Sequence, residues 1–206
     1  VDPARFNTPN KSFCSPKVAD VLESEYFLSV GILERHKNHE RMFQAFKMAA
    51  LKAERADTGL VVVGKGSRLA SLTQLASSVK GVNIKVLGWV SDEELNLLYK
   101  NCKALVNTAF WEPFGLTPLE AGVFGKPSIV SETSGLAETV INGSTGVHAD
   151  PYSTHEISNA FHTLLTNEDL RETMGKKAKQ HVLSRFTVPV MVKNLEDTFK
   201  NANVRQ

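Results

Sequence analysis

Glu112 and Glu120 stand eight residues apart in the stretch Phe110-Trp111-Glu112-Pro113-Phe114-Gly115-Leu116-Thr117-Pro118-Leu119-Glu120. Glu112 follows the apolar run Ala104-Leu105-Val106, at the expected carboxyl end of a strand, where open α/β sheets bind ligands. A loop carboxylate in that place can hold sugar hydroxyls. Gly115 lets a ligand approach the backbone, and the N–H groups after it open a helix, whose N-terminus favours phosphate. Glu120, in the first helical turn, can accept hydrogen bonds from a ribose. A nucleotide-sugar presents hydroxyls, phosphates and ribose in that order. Thr117-Pro118-Leu119-Glu120 also has the form of a capping box, with Thr117 at N-cap, Pro118 at N1 and Glu120 as the N3 acid. Capping and ribose binding are both open to Glu120 on these residues alone.

The Glu112-to-Glu120 segment resembles the E-x7-E motif of retaining glycosyltransferases of the GT-B fold, in the large GT4 group that includes mannosyltransferases. The resemblance runs from about Tyr26 to Phe186. Val1-Asp2-Pro3-Ala4-Arg5-Phe6 resembles the segment that follows the interdomain linker in that family. The chain therefore resembles the C-terminal, donor-binding half of a longer enzyme. The resemblance implies metal-independent hexosyl transfer with retention of configuration. It implies no cofactor and a nucleotide-sugar substrate, GDP-mannose first and a UDP-sugar next. It makes Glu112 and Lys37 catalytic and places Phe114, Gly115, Leu116, Thr117 and Glu120 among the donor-binding residues. The partner it implies is an N-terminal domain that holds the acceptor and supplies a further catalytic residue.

Three other loops carry candidate groups. Ser29-Val30-Gly31-Ile32-Leu33-Glu34-Arg35-His36-Lys37-Asn38 ends the first strand. Gly31 permits a tight turn there, and Lys37 can reach a diphosphate as a point charge or serve as a solvated helix-entry lysine. By resemblance this segment holds a basic phosphate-binding pair, and its Gly-x-Leu-Glu-x-x-Lys-Asn form favours mannose. The family's arginine is expected where Ile32 or His36 stands, which leaves either Arg35 as its substitute or His36 as a weak phosphate contact. Gly64-Lys65-Gly66-Ser67 follows the second strand. It lacks the third glycine and the ribose acid of a dinucleotide fingerprint. It is expected to be either a plain βα loop or a loop near the donor phosphates, with Gly66 allowing its turn. Gly88-Trp89-Val90-Ser91 follows the third strand. By resemblance it packs the base, with Val90 backbone groups at the base edge. Trp89 is open to stacking or to core packing. Ser134-Gly135-Leu136-Ala137-Glu138-Thr139-Val140 resembles the family's G-x-x-E-x-V segment, and Glu138 is expected to be a helix-surface or helix-end acid.

These groups sit in an ordinary globular composition. The chain has 206 residues, 42% hydrophobic and 22% charged, with net charge +2. That suits one α/β domain and gives no argument for nucleic acid or an anionic membrane. Lys176-Lys177-Ala178-Lys179 is expected to be a solvated helix face. Two cysteines, Cys14 and Cys102, make no disulfide framework and no metal spacing. His36 and His39 could share a helix face, but without a further ligand this is weak support for zinc. No Asp-x-Asp, Gly-x-Ser-x-Gly or eight-residue phosphate loop occurs. No run is long and apolar enough to span a bilayer and no signal peptide is found, so any membrane contact of the parent enzyme is not encoded here. The expected location is the cytoplasm or the cytoplasmic face of a membrane. A non-catalytic nucleotide-sugar-binding module is the alternative function. An NAD-dependent oxidoreductase is disfavoured by the incomplete glycine fingerprint.

Alternating apolar runs and helical patterns predict a Rossmann-like three-layer α/β/α domain with a mostly parallel sheet, the C-terminal half of a GT-B fold. Strands are expected at Tyr26–Val30, Leu60–Val63, Ile84–Leu87, Ala104–Val106, Ser128–Val130 and Gly146–His148. Helices are expected at about Glu40–Arg55 and Arg68–Ser78, then after Ser91-Asp92-Glu93-Glu94, from Thr117 to Phe124, and after Ser153-Thr154-His155-Glu156. Two more are expected near Glu168–Ser184 and Val188–Lys200. Residues 1–25, broken by Pro3, Pro9 and Pro16, are expected to form an interdomain linker and approach segment, and residues 26–206 the nucleotide-sugar-binding domain.

Overall fold

A computed structural model describes residues 1–6, 14–133 and 135–203. Pro9 and Ser134, named above, lie outside them. Six strands form one sheet: β1 Tyr26–Val30, β2 Gly59–Val63, β3 Asn83–Gly88, β4 Leu105–Asn107, β5 Ser128–Ser131 and β6 Gly146–Ala149. Their order is β3-β2-β1-β4-β5-β6, and every neighbouring pair is parallel. The helices are α1 Pro16–Leu22, α2 His39–Lys52, α3 Leu69–Ser78, α4 Asp92–Asn101, α5 Leu116–Val123, α6 Leu136–Thr139, α7 Thr154–Thr166, α8 Glu168–Arg185 and α9 Val188–Asn203.

The apolar strands are continuous because both faces are covered. Along β1, Phe27 joins the core beneath α2, α3 and α7, while Tyr26 and Leu28 join the core beneath α1, α4 and α5. Along β2, Leu60 and Val62 face the first core and Val61 and Val63 the second. Phe161 of α7 centres the first core, its ring edge-on to Phe27 at 5.1 Å and to Phe46 of α2 at 5.4 Å. The layers close tightly where glycine removes a side chain. A Cβ on Gly122 of α5 would lie 2.6 Å from Val182 Cγ2 of α8, and a Cβ on Gly175 of α8 would collide with the Gly125 carbonyl.

Several local details differ from the sequence expectation. The approach segment contains α1, whose Val18 and Val21 are fully buried against the sheet. Its pattern was hidden because seven residues give only two apolar marks and Pro16 looks like a break, although proline suits a first turn. α2 ends three residues early, at Lys52, and Glu54 takes a left-handed backbone, φ 54°, two residues later. Ser91 and Glu94 form the reciprocal capping box that was predicted. The Ser153 box is half made. Ser153 accepts from the Glu156 N–H, while Glu156 turns to the Asp150 N–H instead. His36 and His39 do not share a helix face. His36 lies in a 3-10 turn, Arg35–Lys37, and Asn38 at φ 60° separates it from α2. Asn38 tolerates that conformation, and its buried side chain donates to the Thr108 and Pro151 carbonyls at 3.0 and 2.8 Å.

Phe161→Ala should cost about 3–5 kcal/mol of unfolding free energy, the range for truncating a buried phenylalanine. Denaturant unfolding measures it, and a loss under about 1 kcal/mol would contradict the packing described. His39 opens α2 at 2% exposure, and burial depresses its pKa from 6.5 to about 4. Between those values the unfolded chain binds the extra proton, so stability rises with pH. The contribution is complete above about pH 6.5 and is lost as pH falls toward 4, about 3 kcal/mol in all. Urea midpoints at pH 7 and pH 4.5 should therefore differ, and His39→Gln should flatten that difference.

Candidate functional site

The order in which successive strands are laid down reverses at the centre of the sheet. From β1 the strands step outward through β2 to β3, and from β4 they step the other way through β5 to β6. The loops leaving the carboxyl ends of β1 and β4 therefore part, and a crevice opens between them. One backbone bond spans it, from Phe110 N–H to the His36 carbonyl at 2.8 Å. Farther along, the Gly135 N–H donates to the Glu112 carbonyl at 3.0 Å, and a Cβ on Gly135 would strike Pro113 and Phe114. The loop carrying Glu112 is thus pinned on both sides.

Lys37 and Glu112 meet in this crevice as an ion pair. Their side chains are 13% and 18% exposed, so the pair is partly desolvated yet open to a ligand. The Lys37 chain lies over Gly31, where a Cβ would stand 3.6 Å from Cε. Asn107, at the end of β4, lies between Glu112 Oε2 at 3.5 Å and Thr117 Oγ1 at 3.4 Å. Sequence inspection did not single out Asn107. Its signal was a polar residue closing an apolar strand at the ligand-bearing edge of the sheet.

Gly115, not Thr117, caps α5. It adopts φ 90° and ψ 62°, and no side chain caps the helix. The first N–H groups of α5, those of Leu116 and Thr117, therefore have no side-chain cap. Thr117 lies inside the first turn, one residue ahead of Pro118, which remains tolerable because the first N–H groups have no intrahelical acceptor. Glu120 is then too far along for the N3 position, and the predicted capping box is not formed. Its Oε2 instead accepts from the Tyr99 hydroxyl at 2.7 Å. Phe114 and Leu116 are exposed beside the cap.

The loops after β2 and β3 flank the crevice. Glu34 holds the first, accepting from Ser67 N–H and hydroxyl, each at 2.9 Å, and these bonds lower its pKa. Gly66 has no positive φ. Its role is close approach, since a Cβ would lie 2.5 Å from the Leu33 carbonyl oxygen, and not the turn conformation expected. Trp89 is 59% exposed, so core packing is excluded, and Lys65 Nζ sits 4.9 Å from its ring centroid. Val90 is buried. Lys17 of α1 donates to the Leu87 and Trp89 carbonyls at 2.9 and 2.7 Å, which ties α1 to this loop.

Arg35 and His36 do not flank Lys37 as a matched pair. Arg35 is exposed and lines an open cavity of about 580 Å³ with Arg41, Arg68 and Phe110, which neither Lys37 nor Glu112 borders. Glu138 is exposed on α6, as a surface acid. Cys102 is buried and free, and burial pushes its thiol up to about 12. Among the described residues, no three His, Cys, Asp or Glu side chains gather as a metal set, and no helix is long and apolar enough to cross a membrane.

Residues 12–181 match the family described as Glycosyl transferases group 1. The chain is 29% identical over 194 residues to Alpha-1,3/1,6-mannosyltransferase ALG2 of Dictyostelium discoideum, covering 86% of this chain and 46% of the relative. It is 30% identical over 160 residues to a glycogen synthase of Mycobacterium tuberculosis, covering 77% of this chain and 38% of the relative. The chain thus spans less than half the length of these curated relatives. In fold it is similar to Anabaena Alr3699/HepE in complex with UDP-glucose, with a TM-score of 0.80 at 21% identity, covering 98% of this chain and 56% of that one. The C-terminal domain of LpcC from Francisella tularensis superposes with a TM-score of 0.75 at 19% identity, covering 91% of this chain and 99% of that one. A six-stranded parallel sheet in three layers, solved neighbours among GT-B glycosyltransferases and a family match over most of its length place this chain in the group 1 glycosyltransferases.

Proposed function

We propose that this chain is the donor-binding half of a retaining hexosyltransferase, using a nucleotide-sugar with GDP-mannose as the first candidate. The observation that carries this is the Lys37–Glu112 pair at the strand-order reversal, with the uncapped start of α5 beside it and Glu120 farther along the same helix. A cation and a helix N-terminus together suit a diphosphate. Two mannosyltransferases among the relatives and a UDP-glucose complex among the solved neighbours support the substrate class.

In this reading the donor's sugar–phosphate bond breaks and the nucleoside diphosphate leaves with the bonding pair. Lys37 and the first α5 N–H groups stabilise the charge that develops on it. Glu112 accepts from sugar hydroxyls and orients the ring, and Glu120 accepts from the ribose. Trp89 and Val90 border the base, and Gly31 and Gly66 line the phosphate approach, with His36 next to Lys37 in sequence and Arg35 turned to the neighbouring cavity. The acceptor and its further catalytic residue come from an N-terminal half such as the longer relatives have room for. The reaction needs no metal and takes place in the cytoplasm or at the cytoplasmic face of a membrane. A non-catalytic donor-binding module is the second reading, favoured by Ile32 and His36 where the family places arginine. Both bind donor, but only the enzyme gains turnover when the N-terminal half is supplied.

Calorimetry with GDP-, UDP- and ADP-sugars should give binding, tightest for GDP-mannose, and the purified 206-residue chain alone should transfer nothing. Measured transfer by the chain alone would overturn the need for an acceptor half. Lys37→Ala should weaken nucleoside diphosphate binding by about 1–3 kcal/mol, the range for a charge-assisted hydrogen bond. Glu112→Gln should act differently. The diphosphate and Glu112 compete for Lys37, so this variant should bind free nucleoside diphosphate as well as or better than wild type. Turnover in the reassembled enzyme should fall. A weakened diphosphate affinity in Glu112→Gln would remove Glu112 from the sugar side.

A further inference from the structure

Tyr99 lies on α4 with no exposed surface, and its ring stacks on Phe124 at 6.0 Å and 13° between planes. A buried phenol must find an acceptor for its proton. Here it donates to Glu120 Oε2, at 2.7 Å. Burial holds the phenol pKa well above its ordinary 10, with the Glu120 charge adding to it, so the group is a donor throughout the accessible pH range.

The bond fixes a side chain that would otherwise rotate about three bonds. It engages one carboxylate oxygen, and Glu120 borders a small cavity of about 70 Å³ together with Phe6, Asp92 and Asn96. Asp92 is the first residue of α4, two positions beyond Val90, so this cavity adjoins the loop assigned to the base. The Asn96 side chain donates to the Arg5 carbonyl at 3.1 Å, and Phe6 packs edge-on against Phe124 at 5.8 Å, which ties the residue 5–6 segment to the wall of this cavity.

We infer that Tyr99 is a positioning residue, holding Glu120 by Oε2 so that Oε1 accepts from the vicinal hydroxyls of a ribose, and that this pair selects ribonucleotide donors over nucleotides lacking the diol. The inference rests on the assignment of Glu120 to the ribose. A glutamate held at one oxygen presents the other in one direction, and neighbouring hydroxyls on one face of a furanose can both donate to it. Tyr99 itself touches no ligand. A tyrosine that merely completes the core would contribute to stability without any preference for the diol.

The test titrates the full chain with GDP and UDP and with their 2′,3′-dideoxy counterparts, for wild type, Glu120→Gln and Tyr99→Phe. Wild type should prefer the ribonucleotide by on the order of tenfold, the worth of a charge-assisted hydrogen bond. Tyr99→Phe and Glu120→Gln should both cut that preference to below about threefold, while affinity for the dideoxy compounds stays as in wild type. Full preference in Tyr99→Phe with a reduced one in Glu120→Gln overturns the role of Tyr99 and leaves that of Glu120. Equal weakening of both ligands in Tyr99→Phe makes Tyr99 a packing residue and also overturns the inference. Absence of preference in wild type removes Glu120 from the ribose, and absence of binding removes the donor site. Should Tyr99→Phe not fold, biosynthetic 3-fluorotyrosine reports on the unmutated chain, which has only three tyrosines. The Tyr99 fluorine signal should move with GDP and not with dideoxy-GDP, and an equal response to both overturns the inference.

Discussion

The reversal of strand order between β1 and β4 is the constraint on which the rest of this structure depends. Parallel strands buried on both faces leave only their ends for ligands. Among those ends, adjacent loops diverge only where the order reverses. Lys37 from one loop and Glu112 and the α5 start from the other reach the crevice through that reversal. The Phe110 N–H to His36 carbonyl bond sets its width, because it fixes the backbone of one loop against the other.

Backbone proximity does much of the remaining work. Gly66 against Leu33, Gly135 against Pro113 and Phe114, and Gly122 against Val182 are places where a side chain would force the layers apart. The first two draw the β2 loop and the Glu112 loop inward upon the crevice, and the third seats α8 against α5. Gly115 is different, because its positive φ makes the turn that starts α5. That turn leaves the helix without a side-chain cap, so its first N–H groups are free of a built-in competitor.

Paired groups, rather than single ones, define the site. Lys37 faces Glu112, Tyr99 faces Glu120, and Lys65 faces Trp89. Each pair joins two elements that are separated along the chain. The pairing also explains why the two glutamates differ although one short segment carries both. Glu112 is held by a cation and Glu120 by a neutral, buried donor.

The sequence by itself determined the parallel α/β class and the strand positions, because burial on both faces writes continuous apolar runs that need no partner to be read. It marked Glu112, Lys37 and Gly115, since a carboxylate, a lysine and a glycine after strand ends are local signals. It could not decide what α5 would use as a cap. Thr117 and Gly115 compete for that position, and in the folded chain Gly115 takes it at φ 90°, with Leu136 where a side chain on it would have to go. It could not find α1, whose two buried valines have meaning only against the sheet. Nor could it join Lys37 to Glu112 or Tyr99 to Glu120, for their separations of 75 and 21 residues are closed only by the fold. Helical and strand periods report which face of an element is apolar. The meeting of polar groups from different elements depends on strand order, which tertiary packing alone decided.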